Sequence, residues 1–262
     1  MTPVAYLIYD TETTGLDDQS DEIIEICLIP TDRDFNEVAP PLHLYAYPTR
    51  EVPPEVAAIN GYNKALWDER NAVTQQVLAT TIIKWAVQLK LNRVTHCGHN
   101  VSFDERFLGA LCRRHGMARP YNKHFGYHRV DTVGLSIMVD QVLFANAPAA
   151  GRKLEVLAER YGIEMENAHT AITDARAVLS LIRIMRQALR PSPEASSIVA
   201  PSMIKIGSEG ATFAYGKHAG KTIQTVASSQ PGYVRWALDK CDDLPPSHRA
   251  LLQRALDAKR PF

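Results

Sequence analysis

The chain has 262 residues and a formal charge of zero, with 29 Lys and Arg against 29 Asp and Glu; 45% of residues are apolar and 22% charged. This is ordinary globular usage, long enough for one large or two smaller cores. No apolar run reaches the ~18–20 residues of a membrane span, and the apolar start Val4–Tyr9 stops at Asp10 with no basic residue before it, so no signal peptide and no membrane partner are expected. The four cysteines, Cys27, Cys97, Cys112 and Cys241, form no C-x-x-C pair, which fits a reducing, cytoplasmic location.

Taken alone, neutrality argues against a nucleic-acid partner, because phosphate binding wants a basic surface. The average hides a division. Residues 191–202, PSPEASSIVAPS, have the composition of a linker. Residues 1–202 hold 20 basic and 24 acidic side chains, net −4, and residues 203–262 hold 9 and 5, net +4. The expected organisation is a domain over 1–190, a linker over 191–202 and a small basic domain over 203–262.

In chain order, Val4–Tyr9 reads as a central strand, Glu22–Ile29 as a second and Leu42–Tyr47 as a third. Pro53-Pro54 opens a helical stretch, and Val73–Leu91 carries Val77, Ile82, Trp85 and Leu89 at helical spacing. The short strand Val94–Gly98 leads into a helix over Ser102–His115, with Ser102 as cap and Glu105 completing a capping box. Arg129–Thr132 reads as a brief strand. Helices over Lys153–Tyr161, stopped by Gly162, and Ala171–Leu189, stopped by Pro191, follow. The pattern predicts an α/β fold with a mixed sheet flanked by helices.

Carboxylates fall where apolar side chains belong. Asp10 and Glu12 end the first strand and, two residues apart, share a face; like charges so placed repel unless a cation lies between them. A solvated turn is the alternative for this pair. Asp104 lies on the apolar stripe Asp104, Phe107, Leu108, Leu111, where a first-turn acid favoured by the helix dipole is the rival reading. Asp174 repeats the pattern between Ala171 and Val178, and His169 stands just before that helix. Four bare carboxylates in one core are intolerable. Hard oxygen ligands favour Mg²⁺ or Mn²⁺, and two such ions suit in-line displacement at a phosphodiester, with a neutral His accepting the water's proton.

Asp10-Thr-Glu-Thr-Thr-Gly-Leu16, His99-Asn-Val-Ser-Phe-Asp104 and His169-Thr-Ala-Ile-Thr-Asp174 resemble the three motifs of the DEDDh (DnaQ-like) exonucleases, over about residues 4–190. The resemblance implies an RNase H-like fold and a 3′→5′ exonuclease that releases nucleoside 5′-monophosphates. It implies Asp10, Glu12, Asp104 and Asp174 as ligands for two Mg²⁺, with Mn²⁺ as the substitute, and His169 as general base. Thr13 and Thr14 would meet the terminal nucleotide and Leu16 would pack on its base. His99 and Phe103 would line the same groove, with a core position the alternative for Phe103. Asp131-Thr132 would give structural support. The acidic run Asp17, Asp18, Asp21 sits awkwardly beside an expected DNA strand.

In the basic tail, three residues separate Gly216 and Gly220 where a P-loop needs four, so nucleotide hydrolysis is rejected. Phe213 and Tyr215, the loop Lys217-His218-Lys221, and Pro231-Gly-Tyr-Val-Arg-Trp236 mix basic and aromatic residues, as single-strand or duplex-end binding requires; for Trp236 a core position is preferred. This stretch is similar to the C-terminal domain of bacterial exodeoxyribonuclease X proteins, which implies a small α+β domain and a DNA substrate in repair or recombination. A zinc layout of Cys112, His115, His124 and His128 has unsuitable spacing; phosphate contact by Arg113, Arg114, Arg119, Lys123 and Arg129 is the better reading. The expected partners are single-stranded DNA or duplex 3′ ends. A ribonuclease or proofreading subunit of the same fold and a non-catalytic scaffold are the rivals, and no surface points to a homo-oligomer.

Overall fold

Eight consecutive residues run extended as β1 (Tyr6–Thr13), and their alternation assigns side chains to two separate cores. Leu7 and Tyr9 join one apolar cluster and Ile8 the other. The computed structural model describes residues 2–143, 151–165, 170–189, 204–207, 210–214, 217–241, 244 and 246–258. Of the expected features, the linker 191–202, His169, Tyr215 and Gly216 lie outside the described residues.

β1 pairs antiparallel with β2 (Ile23–Thr31), which pairs antiparallel with β3 (Leu42–Tyr45); on its other side β1 runs parallel to β4 (Val94–Gly98), and β4 to β5 (Phe125–Asp131). The order is β3-β2-β1-β4-β5, the expected mixed sheet. Every residue of β2 is buried, because helices cover both faces. Helices α1 (Pro54–Asn60), α2 (Lys64–Glu69), α3 (Gln75–Gln88), α4 (Ser102–Arg114), α5 (Ala118–His124), α6 (Thr132–Leu143), α7 (Leu154–Arg160) and α8 (Ala171–Ala188) complete the larger unit. Leu78 and Ile82 of α3 and Phe107 and Leu111 of α4 fill the Leu7–Tyr9 side. Ala175, Val178 and Ile182 of α8 fill the Ile8 side. β1 therefore sits where antiparallel and parallel neighbours meet, and the loops beyond the carboxyl ends of β1 and β4 open a crevice there.

Several local expectations are corrected. α4 has Val101 at its cap position and no side-chain cap, so Ser102 is the first helical residue and the capping box does not form. The Asp131 carboxylate instead fixes the chain leading into α4, accepting from the amides of Asn100 and Val101 at 3.1 and 2.9 Å, which is the structural support expected of Asp131. Val77 is exposed, and Leu78 takes the inward place. β5 begins at Phe125, earlier than expected, and Thr132 opens α6.

The contacts divide the chain into Met1–Arg190 and Pro191–Phe262. In the second unit a hairpin of β6 (Ile204–Gly207) and β7 (Gly210–Phe213) is followed by α9 (Ile223–Ser229), α10 (Pro231–Lys240) and α11 (Pro246–Asp257), the expected small α+β piece. Its core contains Phe213, Val226, Val234 and Leu252. Trp236 is not in it: the indole is 47% exposed, against the expectation, and leans on Tyr233 with ring centroids 5.4 Å apart. Among the described residues no helix is long and apolar enough to cross a membrane.

Candidate active site

Alternation along β1 carries Asp10 and Glu12 onto the side of Ile8, where α8 packs. α8 brings Asp174 there in its first turn. Asp10, Glu12 and Asp174 each offer an oxygen within 4.8 Å of the others', the one such group found among the described residues. Crowding shows in their acidities. Burial first, then the charges of Asp104, Asp174, Glu12 and Glu25, holds the Asp10 carboxyl well above the usual range. Burial, then Asp174, Glu25 and Asp104, pushes Glu12 up to about 8.

Asp104 stands just outside this trio. Its carboxylate is 3% exposed and accepts the Thr11 hydroxyl at 2.7 Å. Burial pushes it up to about 7, against the lowering effect of that hydrogen bond. Its charge is nevertheless the largest electrostatic influence on Asp10. An all-oxygen donor set, close enough for its members to repel one another, fits a hard divalent cation. The zinc layout is not assembled: Cys112 is buried in the core, and His124 Nδ1 hydrogen-bonds the Leu91 carbonyl at 2.7 Å.

The turn after β1 is locked internally. Thr13 and Thr14 are buried; the Thr13 hydroxyl donates to the Gly15 carbonyl at 2.6 Å and that of Thr14 to Asp21 Oδ1 at 3.0 Å. Asn60 of α1 donates to the Thr13 carbonyl at 3.0 Å, tying that helix to the turn. Leu16, 82% exposed, projects from the turn. The acidic run now has an explanation. Arg114 donates to the carbonyls of Asp18 and Asp21 at 2.6 and 2.7 Å, Arg106 and Arg113 lie 3.4 and 3.9 Å from the Asp18 carboxylate, and Arg50 is 3.4 Å from Asp21. Arg113 and Arg114 thus brace the loop, and Arg129 pairs with Glu105.

A cleft of about 610 Å³ is lined by Asp10, Asp174, His99, Asn100, Arg152 and Lys153 among others. His99 Nδ1 lies 2.8 Å from Thr132 Oγ1, and burial holds its pKa below the usual value. Arg152 and Lys153 were not singled out in the sequence. Arg152 is fixed by Asp140 and by Ser136 Oγ at 3.1 Å, whereas Lys153 is exposed. The sequence signal was two adjacent cations immediately before α7. Phe103 packs on the core, its ring 4.7 Å from that of Phe107. In the second unit Lys217 and Lys221 are exposed, and between them the His218 ring is buried at 4.5 Å from Tyr233.

The chain matches the RNase T exonuclease family over residues 7–182. It is 30% identical over 189 residues to the DNA polymerase III subunit epsilon of Treponema pallidum, covering 70% of this chain and 76% of that one. It is 27% identical over 256 residues to exodeoxyribonuclease 10 of Escherichia coli K12, covering 95% and 98%. Among solved structures, Escherichia coli exonuclease I in complex with a dA16 oligonucleotide shares the fold, with TM-score 0.59 and 23% identity over 72% of this chain; the match spans only 42% of that longer protein. The chain belongs to the exonuclease family, within the DEDDh (DnaQ-like) 3′→5′ superfamily.

Proposed function

We propose that this exonuclease hydrolyses DNA from the 3′ end in a Mg²⁺-dependent reaction, releasing nucleoside 5′-monophosphates, in repair or recombination. The observation that carries the reading is the convergence of Asp10, Glu12 and Asp174, from a strand and a helix 162 or more residues apart in sequence, within 4.8 Å. These three, with Asp104 beside them, would hold two Mg²⁺, or Mn²⁺ in their place. When bound, such ions activate water and stabilise the leaving oxygen. His169 accepts the proton of the attacking water. Leu16 packs on the terminal base, His99 flanks the scissile phosphate, and Lys153 offers that phosphate a cation from the cleft wall.

DNA as substrate is supported by the full-length likeness to exodeoxyribonuclease 10, which extends through both units. The second unit engages the strand through Lys217, Lys221 and the exposed Trp236. The free cysteines support action in the cytoplasm. The likeness to a polymerase III epsilon subunit favours one second reading, a proofreading partner of the same fold.

The test is digestion of 5′-labelled single-stranded DNA, duplex DNA and RNA in Mg²⁺ or EDTA. A stepwise ladder on DNA, abolished by EDTA and by Asp174→Ala, is expected. A ladder that survives Asp174→Ala would sink the mechanism, and equal digestion of RNA would sink the DNA assignment.

A further inference from the structure

The helix that carries Asp174 has no cap of its own. Thr170 occupies the cap position of α8 with extended backbone, φ −123° and ψ 135°. Its hydroxyl, however, donates to Thr173 Oγ1 at 2.9 Å and makes no side-chain cap bond to the helix. The Ala171 amide, among the first orphan donors of the helix, donates instead to Glu25 Oε1 on β2 at 3.2 Å, across 146 residues of sequence. The same oxygen takes a hydrogen bond from His43 Nε2 of β3 at 2.7 Å.

Glu25 is an expensive way to cap a helix. Its side chain is wholly enclosed, while that of His43 is 23% exposed. It stands directly opposite Glu12 across the β1–β2 ladder and adds to the repulsion that raises both Glu12 and Asp10. A buried carboxylate beside like charges is destabilising unless its position does something a neutral residue would not. What this position does is mechanical. Ala171 lies two residues after His169 and three before Asp174. The apolar stripe Ala175, Val178, Ile182 seats the body of α8 but leaves its first turn to be placed by whatever accepts the terminal amides.

We propose that Glu25, oriented by His43, is a positioning residue for the reaction. It holds the first turn of α8, and with it Asp174, in register with the carboxylates of β1. The inference rests on the exonuclease reading for its kinetic consequence, but not for its structural one.

Three full-length variants separate the possibilities. Glu25→Gln keeps the accepting Oε1 and loses the charge; Glu25→Ala loses both; His43→Ala removes only the orienting group. Residues that orient ligands typically cost 10–100-fold when removed, so kcat should fall by about that factor in Glu25→Ala, with KM within about 2-fold, while Glu25→Gln stays within about 3-fold of wild type. The independent readout is hydrogen exchange of the Ala171 amide in metal-free protein. It should be about tenfold faster in Glu25→Ala and near wild type in Glu25→Gln, because local protection follows the local hydrogen bond.

Unchanged exchange in Glu25→Ala overturns the proposal, as does a kcat loss in Glu25→Gln equal to that in Glu25→Ala. If Glu25→Ala does not fold, His43→Ala decides, with faster Ala171 exchange and lower kcat expected and neither change overturning it. Should the wild-type chain release no nucleotide, the exonuclease reading fails while the exchange experiment still judges the positioning role.

Discussion

The Thr11 hydroxyl donates to Asp104 Oδ1 at 2.7 Å across 93 residues of sequence, from the face of β1 opposite to Asp10 and Glu12. This contact joins α4 to the strand and separates one acid from the other three. Burial pushes Asp104 up to about 7 and the hydrogen bond opposes that rise. Thr11→Val should therefore raise the Asp104 pKa of the metal-free protein by about half a unit or more, read by carboxyl NMR titration in EDTA, since a hydrogen bond to a charged group is worth at least about 1.5 kcal/mol before relaxation. An unmoved titration would show that the Thr11 contact does not set the acidity of Asp104.

The stability of the metal-free protein should fall with rising pH. Glu12 is pushed up to about 8 and Asp104 to about 7, so the folded chain keeps protons that the unfolded chain releases near pH 4. Their stabilisation is complete below the unfolded carboxylate pKa and is lost as pH rises through the folded values. In EDTA the melting temperature should be lower at pH 8.5 than at pH 5.5, by on the order of 5 °C for a chain of this size. Mg²⁺ should narrow that gap by occupying the trio. Asp10→Asn removes one repelling charge, so in EDTA at pH 8.5 it should melt a few degrees higher than wild type, yet gain little from Mg²⁺. Thermal melts at the two pH values check both signs.

A methyl group at Gly15 would collide with the Asp21 carboxylate. That carboxylate also accepts the Thr14 hydroxyl and the Asp17 amide, each at 3.0 Å. Gly15→Ala must displace it, at a cost of about 1–3 kcal/mol, and should disturb the turn that carries Leu16. The expected result is a lower melting temperature and a KM several-fold higher than wild type, read from digestion of a short oligonucleotide.

Trp236 is 47% exposed, whereas Trp67 is fully buried. Stacking of a base on Trp236 would selectively quench its fluorescence. Trp236→Ala should weaken binding of a 20-nucleotide single strand by about 5- to 50-fold, the range that one base–aromatic stack supplies. Lys217→Glu with Lys221→Glu should weaken binding further at low salt than at high salt. Unaltered affinity in both variants would leave the second unit with a structural role.

Much of the nuclease unit was legible because its signals are local. Alternation in Tyr6–Thr13 placed Asp10 and Glu12 on one face, and the stripe of α8 placed Asp174 on the buried side. The mixed sheet followed from the order of strand-like and helix-like segments. Ser102 misled because a capping box is a local pattern, and here Asp131 from another strand fixes the entry to the helix one residue earlier. Trp236 misled because an apolar spacing on a short helix does not say which flank is covered.

Local pattern is enough to tell which carboxylates lie on apolar faces and in what order the motifs occur. Their partners come from the packing of distant segments. That packing set Arg106, Arg113 and Arg114 of α4 against the Asp17–Asp21 loop. It set Asp104 on Thr11, apart from the trio, and it brought Glu25 and His43 to the start of α8. Periodicity reports which face a side chain occupies, because that depends on neighbours a few residues away. It carries nothing about what meets that face, because strand register and helix placement are fixed by packing between segments far apart in the chain.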